Sequence, residues 1–560
     1  MASKAIERGL AAELWRPTIV VLLALLPLAI LYLHLGNAQF LPQYFLMKQD
    51  IPALFVVLAF TLLVRGALFS PVARLRLSAL MASLEQVPIP AISACVVVVG
   101  VAGAWLVFDF YPLSMDEFWA RADGLIFAHG APMAHIPAAW QSYARALQPV
   151  FLHLLPSGWW SSGYLPVNAL IQMALGPLAS PLLAAVSVLL AASIARQLMP
   201  EYRSAPLVCA LLLASSAQLL LAAMTPYAMS AHLAFNLAWL SLILRRRASA
   251  HLLAVPIGLL AIGLHQLVFF PLFALPFLLE GFVSGERRWA VAHGLTILAG
   301  ILLWSNYDSV TAAMMSVPAA AGKARDTGAL VGKMVAMVRT FDLRDADQMA
   351  LNLLRFLLWQ NPLAIVLMLA SAGKVMRDGG PLRAAWAGIL LPPLFMFFVL
   401  PYQGHGWGYR YLHDELGNVA LLATYAWFQI ADRESSAWRA VFASALILSV
   451  GILLPLRAYQ AWRQAAPYVA ANRNLNRLKA DVVVIDAPQH AYTWDLVRNS
   501  PLMDNSPKRL AGFMLTDDQM AILCKQYRVE FFTDADAARL RIPEIRLNSG
   551  DDIPRTTCRN

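Results

Sequence analysis

Thirteen stretches of this chain are long, apolar and almost free of charge, and about 20 such residues in a helix span a bilayer core of about 30 Å. They fall near residues 17–36, 51–69, 91–108, 172–195, 205–224, 226–244, 250–264, 266–282, 289–306, 351–371, 384–401, 414–431 and 438–456. A chain patterned in this way must bury its helices in lipid. With 59% hydrophobic and 14% charged residues, it is excluded from the cytosolic-enzyme, disordered, collagenous and disulfide-scaffold classes. The expected fold is an all-α polytopic membrane protein of about 13 transmembrane helices. The stretch 250–282 is too long for one helix and short for two, and it reads as a hairpin of short spans meeting at His265.

The basic residues orient the bundle. With Lys4, Arg8 and Arg16 cytoplasmic, the inner loops also collect Arg65, Arg74, Arg76, Arg196, Arg203, Arg245, Arg246, Arg247, Arg287, Arg288, Lys374, Arg377, Arg383, Arg433 and Arg439. The short outer connections and the segment 113–160 hold only Lys48, Arg121, Arg145 and Arg410. By the positive-inside rule the N-terminus is cytoplasmic and the C-terminus outside, which also supports the hairpin. The first apolar run lacks a small-residue cleavage site and reads as an uncleaved span. The net charge of +10 is a property of the membrane part, because residues 465–560 carry 13 basic and 12 acidic side chains. It therefore gives no reason to expect nucleic acid as a partner.

Cys95 and Cys209 lie within spans and are expected to pack as small apolar residues. Cys524 and Cys558 lie in the segment that this topology puts in an oxidising compartment, where a disulfide would stabilise by about 3 to 4 kcal/mol. The sequence leaves their pairing open.

Four outer segments can hold chemistry. Residues 109–171 carry Phe118, Trp119, Ala122, Leu125 and Ile126 at helical spacing ahead of Gly130, an amphipathic helix at the outer leaflet. Residues 307–350 offer a second interfacial face, Leu330, Val331, Met334, Met337 and Val338, interrupted by Lys333 and Arg339. Residues 402–413 form a short glycine-rich loop. The tail, 458–560, reads as a small α/β domain with strands at Asp481–Asp486 and Val529–Thr533 and a helix over Asp517–Tyr527. That tail has no phosphate loop, CxxC or HExxH.

Two constellations stand out. In Ser114-Met-Asp-Glu-Phe-Trp119, Ser114 and Glu117 have capping-box spacing, and Asp116 in the first turn suits the helix dipole. Capping accounts well for Glu117 and only modestly for Asp116. With Asp109 nearby, three carboxylates at the membrane surface suit acceptance of a proton or a cation. The second is Tyr402-Gln-Gly-His-Gly-Trp-Gly-Tyr-Arg-Tyr-Leu-His413. Its alternating glycines admit close backbone approach, Arg410 can grip a phosphate in a fork, and His405, Tyr411 and His413 can add donors. The bland account is an aromatic belt with a snorkelling arginine, which leaves Gly404, Gly406 and Gly408 unexplained. His265 and Gln266 are further candidates for the same cavity, as are Asp308 and Arg355. Lys323, Arg325, Arg339 and Arg355 suit lipid headgroups, and His232 and Asn236 suit bonds between helices. No set of His, Cys and carboxylates has zinc-ligand spacing.

The run MDEFWARADGLIFAHG, placed after a span and before a proline-containing segment and many further spans, resembles the GT-C superfamily of membrane glycosyltransferases. The likeness is to its protein O-mannosyltransferase and lipid A aminoarabinose transferase branch. Gly408-Tyr-Arg-Tyr411 is similar to the Gly-x-Arg-Tyr element of its bacterial members. The resemblance covers roughly 90–456. It implies inverting transfer of a sugar from a polyprenyl-phosphate donor to an envelope acceptor, at the outer face of a bacterial inner membrane. Asp116 would then be the general base, Arg410 the phosphate ligand, and Glu117 an orienting or capping group. On this reading residues 1–89 are an N-terminal two-helix extension, 90–457 the catalytic membrane domain and 458–560 a soluble extracytoplasmic domain. The second acidic motif of some relatives is not evident, although Asp308 follows a span, and a divalent metal stays open. Sugar and acceptor do not carry over.

Two rivals belong to other classes. A transporter or flippase of a lipid-linked or anionic precursor would place ionisable groups or broken helices near the midplane, whereas here most spans lack charge and polar clusters gather outside. A polysaccharide polymerase or ligase would rely on 307–350 and tolerate loss of Asp116.

Overall fold

The computed structural model describes residues 41–316, 336, 344–430, 435–490, 492–545 and 558. The span expected at 17–36, the interfacial face at Leu330–Val338, and Lys323, Arg325 and Arg339 lie outside them.

Six described helices are long and apolar enough to cross a membrane: Leu41–Gly66, Ile89–Leu106, Val167–Leu198, Arg287–Ser305, Gly380–Val399 and Ser436–Arg477. Their outward faces carry exposed Leu62, Leu63, Val98 and Leu295, side chains that only lipid solvates well. Toward the interior, Ala191, Ala195, Cys209, Ala223, Ala261 and Ala423 are buried, small residues that let helices approach closely. The chain is an integral membrane protein.

The described residues do not establish the expected thirteen spans: six helices are long enough, up to eight if each of two bent pairs is one span, and three shorter apolar helices, Met229–Ile243, Ala248–Ile262 and Phe269–Val283, accompany them. The run 351–371 is broken into Ala346–Leu358 and Pro362–Asp378, which meet at 112°. Asn361 caps the second helix by accepting from the Leu363 amide at 3.0 Å, and Pro362 enters at its first position, so the earlier helix cannot continue through. The run 205–224 bends by 65° in the same way, where Ser216 accepts from the Leu219 amide. The stretch 250–282 is a pair of short helices, Ala248–Ile262 and Phe269–Val283, joined through His265. The last span runs on to Arg477 and carries the chain out to the C-terminal segment.

That segment forms a three-stranded parallel sheet in the order β5-β4-β6, with β4 Val482–Asp486, β5 Lys508–Ala511 and β6 Val529–Thr533. β4 is central and buried on both faces, which explains its unbroken apolar run. Val482 and Val484 pack with Ile126, Tyr143 and Trp160 from the loops after Leu106. Val483 and Ile485 join Phe108, Tyr111 and Tyr468. Each fully buried aliphatic of this kind is worth about 1.5 to 3 kcal/mol, so this packing anchors the sheet to those loops. Those loops add a small antiparallel sheet in the order β1-β3-β2, with β1 Ala134–His135, β2 Leu152–Leu154 and β3 Trp159–Ser162. The helix Asp517–Gln526 precedes β6. Cys524 and Cys558 are joined by a disulfide with Cα atoms 5.6 Å apart. Cys209 is buried, whereas Cys95 is exposed on its helix.

Candidate active site

The helix Met115–Ala128 begins at a closed capping box. Ser114 Oγ accepts from the Glu117 amide at 3.4 Å, and Glu117 Oε2 accepts from the Ser114 amide at 2.8 Å. Ser114 Oγ also donates to the Tyr227 hydroxyl at 2.7 Å. Glu117 is fully buried, and burial pushes its carboxyl up to about 7 against the Ser114 amide and the Arg498 guanidinium. It is a cap that does not line the cavity. Its neighbour Asp116 points the other way.

Asp116 lies on the wall of a cavity of about 460 Å³ that also takes in Tyr164, His265, Arg410, Tyr411, Tyr492 and Asp495. This volume falls in the usual range for small-molecule sites. Asp116 Oδ2 accepts from Arg410 Nη1 at 2.7 Å, and its Oδ1 accepts from the Tyr164 hydroxyl. Tyr164 is stacked on His265 with ring centres 4.1 Å apart. Burial raises the Asp116 carboxyl, but Arg410, His265 and the Tyr164 hydroxyl more than reverse this and leave it below its ordinary value. The Tyr164 phenol is held well above its own by burial and by Asp116. The site therefore presents a carboxylate and a guanidinium side by side, both opening on one cavity.

Arg410 is aimed by the glycine loop. Gln403 accepts from the Arg410 amide at 2.9 Å, its backbone carbonyl accepts from Arg410 Nη2, and its own amide donates to the Gly408 carbonyl at 3.0 Å. A side chain at Gly406 would meet the Arg410 chain, and one at Gly408, where φ is +71°, would meet Gln218. The loop is gripped from behind by Arg355, which donates to the Gly406 carbonyl at 3.0 Å and the Gly408 carbonyl at 3.1 Å. Asp50 balances this cation at 3.0 Å, lies 3.2 Å from Arg457 and accepts from Trp359 Nε1 at 2.9 Å. A buried ion network in which two guanidiniums share one carboxylate thus fixes the loop.

The structure brings together Asp116, Arg410, Tyr411, His405 and His265 around one cavity. It does not bring the other expected site residues there. Asp109 is half-exposed and pairs with Arg473. Asp308 is buried with its carboxylate 3.9 Å from His153. Arg355 is a loop anchor, and His413 is buried below the loop, off the cavity lining. These four were expected on the strength of sequence proximity to the outer surface, which does not report which way a side chain faces. Asp414 and Glu415 are also buried, at the start of the helix Leu416–Ile430, near His232 and Asn418.

Three contributors were missed: Tyr164, Asp495 and Asp50. The first two carry no local motif, while Asp50 could have been noticed as a carboxylate abutting an apolar run. Among the described residues, no group of three or more His, Cys, Asp or Glu side chains converges as a metal set. Both oxygens of Asp116 are engaged, one by Arg410 and one by Tyr164.

No protein-family model matches the chain, and no curated protein matches it. Its structure is similar to two crystal structures of ArnT from Cupriavidus metallidurans. The one bound to undecaprenyl phosphate has 14% identity and a TM-score of 0.42 over 72% of this chain and 84% of that one. The apo form has 14% identity and a TM-score of 0.44 over 74% and 84%.

Proposed function

We propose that this chain is a membrane glycosyltransferase of the GT-C kind, moving a hexosyl or pentosyl unit from a polyprenyl-phosphate donor to an envelope acceptor. The observation that carries the reading is the 2.7 Å pair between Asp116 and Arg410 on the wall of one cavity. The reaction needs an acceptor for a hydroxyl proton and a cation for a leaving phosphate, and this pair supplies both.

The donor phosphate competes with Asp116 for the Arg410 fork. Once Arg410 turns to the phosphate, the Asp116 carboxylate loses its partner and becomes more basic. It takes the proton of the acceptor hydroxyl as that oxygen attacks the anomeric carbon. The bond from that carbon to the phosphate oxygen breaks on the opposite face, with inversion, and the lipid phosphate leaves with its charge held by Arg410. Tyr164 keeps the carboxylate aimed. The reaction belongs to the outer face of a bacterial inner membrane, with residues 458–560 extracytoplasmic and 90–457 forming the catalytic membrane part behind a two-helix extension.

The test uses the full chain in nanodiscs with radiolabelled polyprenyl-phosphate sugars, scored for sugar release to water or to added envelope lipids and polysaccharides. Turnover or slow hydrolysis that disappears in Asp116→Asn is the expected result. Absence of binding to any such lipid would overturn the reading in favour of a transporter.

A further inference from the structure

A one-way chain of hydrogen bonds runs from Arg355 to His405 behind the cavity. It starts at Arg355, which can only donate and gives Nη2–H to Gln49 Oε1 at 2.9 Å. With its oxygen so committed, Gln49 donates Nε2–H to Gln464 Oε1 at 3.1 Å. Gln464 must then turn its amide nitrogen to His405 Nδ1, 3.1 Å away. That nitrogen is forced to be the bare acceptor, so the ring proton of neutral His405 resides on Nε2. There it meets Asp495 Oδ2 at 3.1 Å, off the N–H axis. The other oxygen, Asp495 Oδ1, accepts from the backbone amide of Met115 at 3.1 Å. Met115 opens the helix on which Asp116 is the next residue.

Asp495 is brought here by the C-terminal segment, and a second tie accompanies it. Arg498 Nη2 donates to the Leu113 carbonyl at 2.8 Å, so the segment holds the chain on both sides of the Ser114 cap. A carboxylate on the first free amide of a helix is also favoured by the helix dipole. His405, with one ring nitrogen facing Gln464 and the other facing Asp495, has no proton left for a phosphate.

We propose that Asp495 is a positioning residue for Asp116, held in register by a tautomer of His405 that Arg355 dictates through Gln49 and Gln464. The role in turnover rests on the glycosyltransferase reading; the tautomer does not. The cavity is accordingly incomplete without the C-terminal segment, whose contribution is to set the pitch of the Asp116 helix.

The relay has a direction, and a direction can be reversed. In Asp495→Asn, one end of the new amide must face a donor, either His405 Nε2–H or the Met115 amide. Adding Gln464→Glu makes residue 464 accept from both Gln49 and His405, moving the ring proton to Nδ1 and leaving Nε2 bare to accept from the side-chain amide introduced at position 495. Turnover is measured on the full chain in nanodiscs with radiolabelled donor, alongside nitrogen NMR of labelled histidine assigned by His405→Gln.

The expected result is a bare Nδ1 and a protonated Nε2 on His405 in the wild type, with Nδ1 protonated once Gln464→Glu is present. Asp495→Asn should lower kcat by about 10- to 100-fold with the donor KM unchanged, the scale of a reacting group misplaced by about 1 Å. The double variant should recover to within about threefold of wild type. A wild-type Nδ1–H, or a double variant no better than Asp495→Asn, overturns the proposal. A wild type that transfers nothing overturns the glycosyltransferase reading and the kinetic role with it, and the tautomer spectrum separates that failure from a wrong relay.

Discussion

Replacing Asp116 by asparagine should abolish transfer and tighten donor binding at the same time. Asparagine keeps the shape of the side chain, but its single oxygen can face only one donor: turned to Arg410 it is a neutral acceptor in place of a charged one, with its amide nitrogen turned to the Tyr164 oxygen. A hydrogen bond to a charged group is worth about 1.5 to 3 kcal/mol net. In the wild type the lipid phosphate must displace that bond before it can use the Arg410 fork. Removing the competitor returns most of this energy to binding, and at 1.4 kcal/mol per tenfold the donor Kd should fall by about 10- to 100-fold. Turnover should fall by about 10² to 10⁴, the range for loss of a general base. Titration of wild type and variant in nanodiscs with polyprenyl phosphate gives the first quantity, and single-turnover transfer at saturating donor gives the second. Because a KM can hide product release, the equilibrium titration decides. An active variant would refute the role of Asp116, and a variant that binds donor more weakly would refute the competition for Arg410.

Three further outcomes follow from the same contacts. Arg410→Lys replaces a fork by a point charge that cannot serve both Asp116 and the Gln403 carbonyl; donor Kd should rise by about tenfold or more, and unchanged affinity in the same titration would count against a phosphate role. Glu117→Gln keeps the oxygen that accepts from Ser114 and removes a buried charge. Because the folded carboxyl titrates at about 7 against 4.5 in the unfolded chain, the unfolded state loses its proton first and wild-type stability falls as pH rises through that window. The variant should therefore match wild type near pH 4 and exceed it at pH 8 by up to about 3 kcal/mol, seen as a higher midpoint in thermal unfolding at pH 8 and not at pH 4. Asp50→Asn leaves Arg355 and Arg457 buried without their counter-charge, which should cost about 3 to 5 kcal/mol and lower the unfolding midpoint at every pH from 6 to 9.

What the sequence determined by itself is whatever depends on local pattern. Charge-free runs dictate helices in lipid, the short stretch around His265 dictates a hairpin, and Ser114 with Glu117 dictates a helix start, because each signal is complete within a few turns of chain. The apolar run at Val482–Ile485 likewise dictates a strand. The break where a cap and a proline cut an apolar run, as at Asn361–Pro362, is hidden from hydropathy, which averages over it. Only the tertiary structure decided which polar groups share a cavity. Asp116 and Arg410 are separated by 294 residues, and Tyr164 and Asp495 reach them from two further parts of the chain. Asp109, Asp308 and His413 are equally polar and lie equally close to predicted surface loops, yet the local backbone turns them elsewhere. Position along a sequence specifies the period of a helix; the direction in which a given residue faces is set by what packs on the far side.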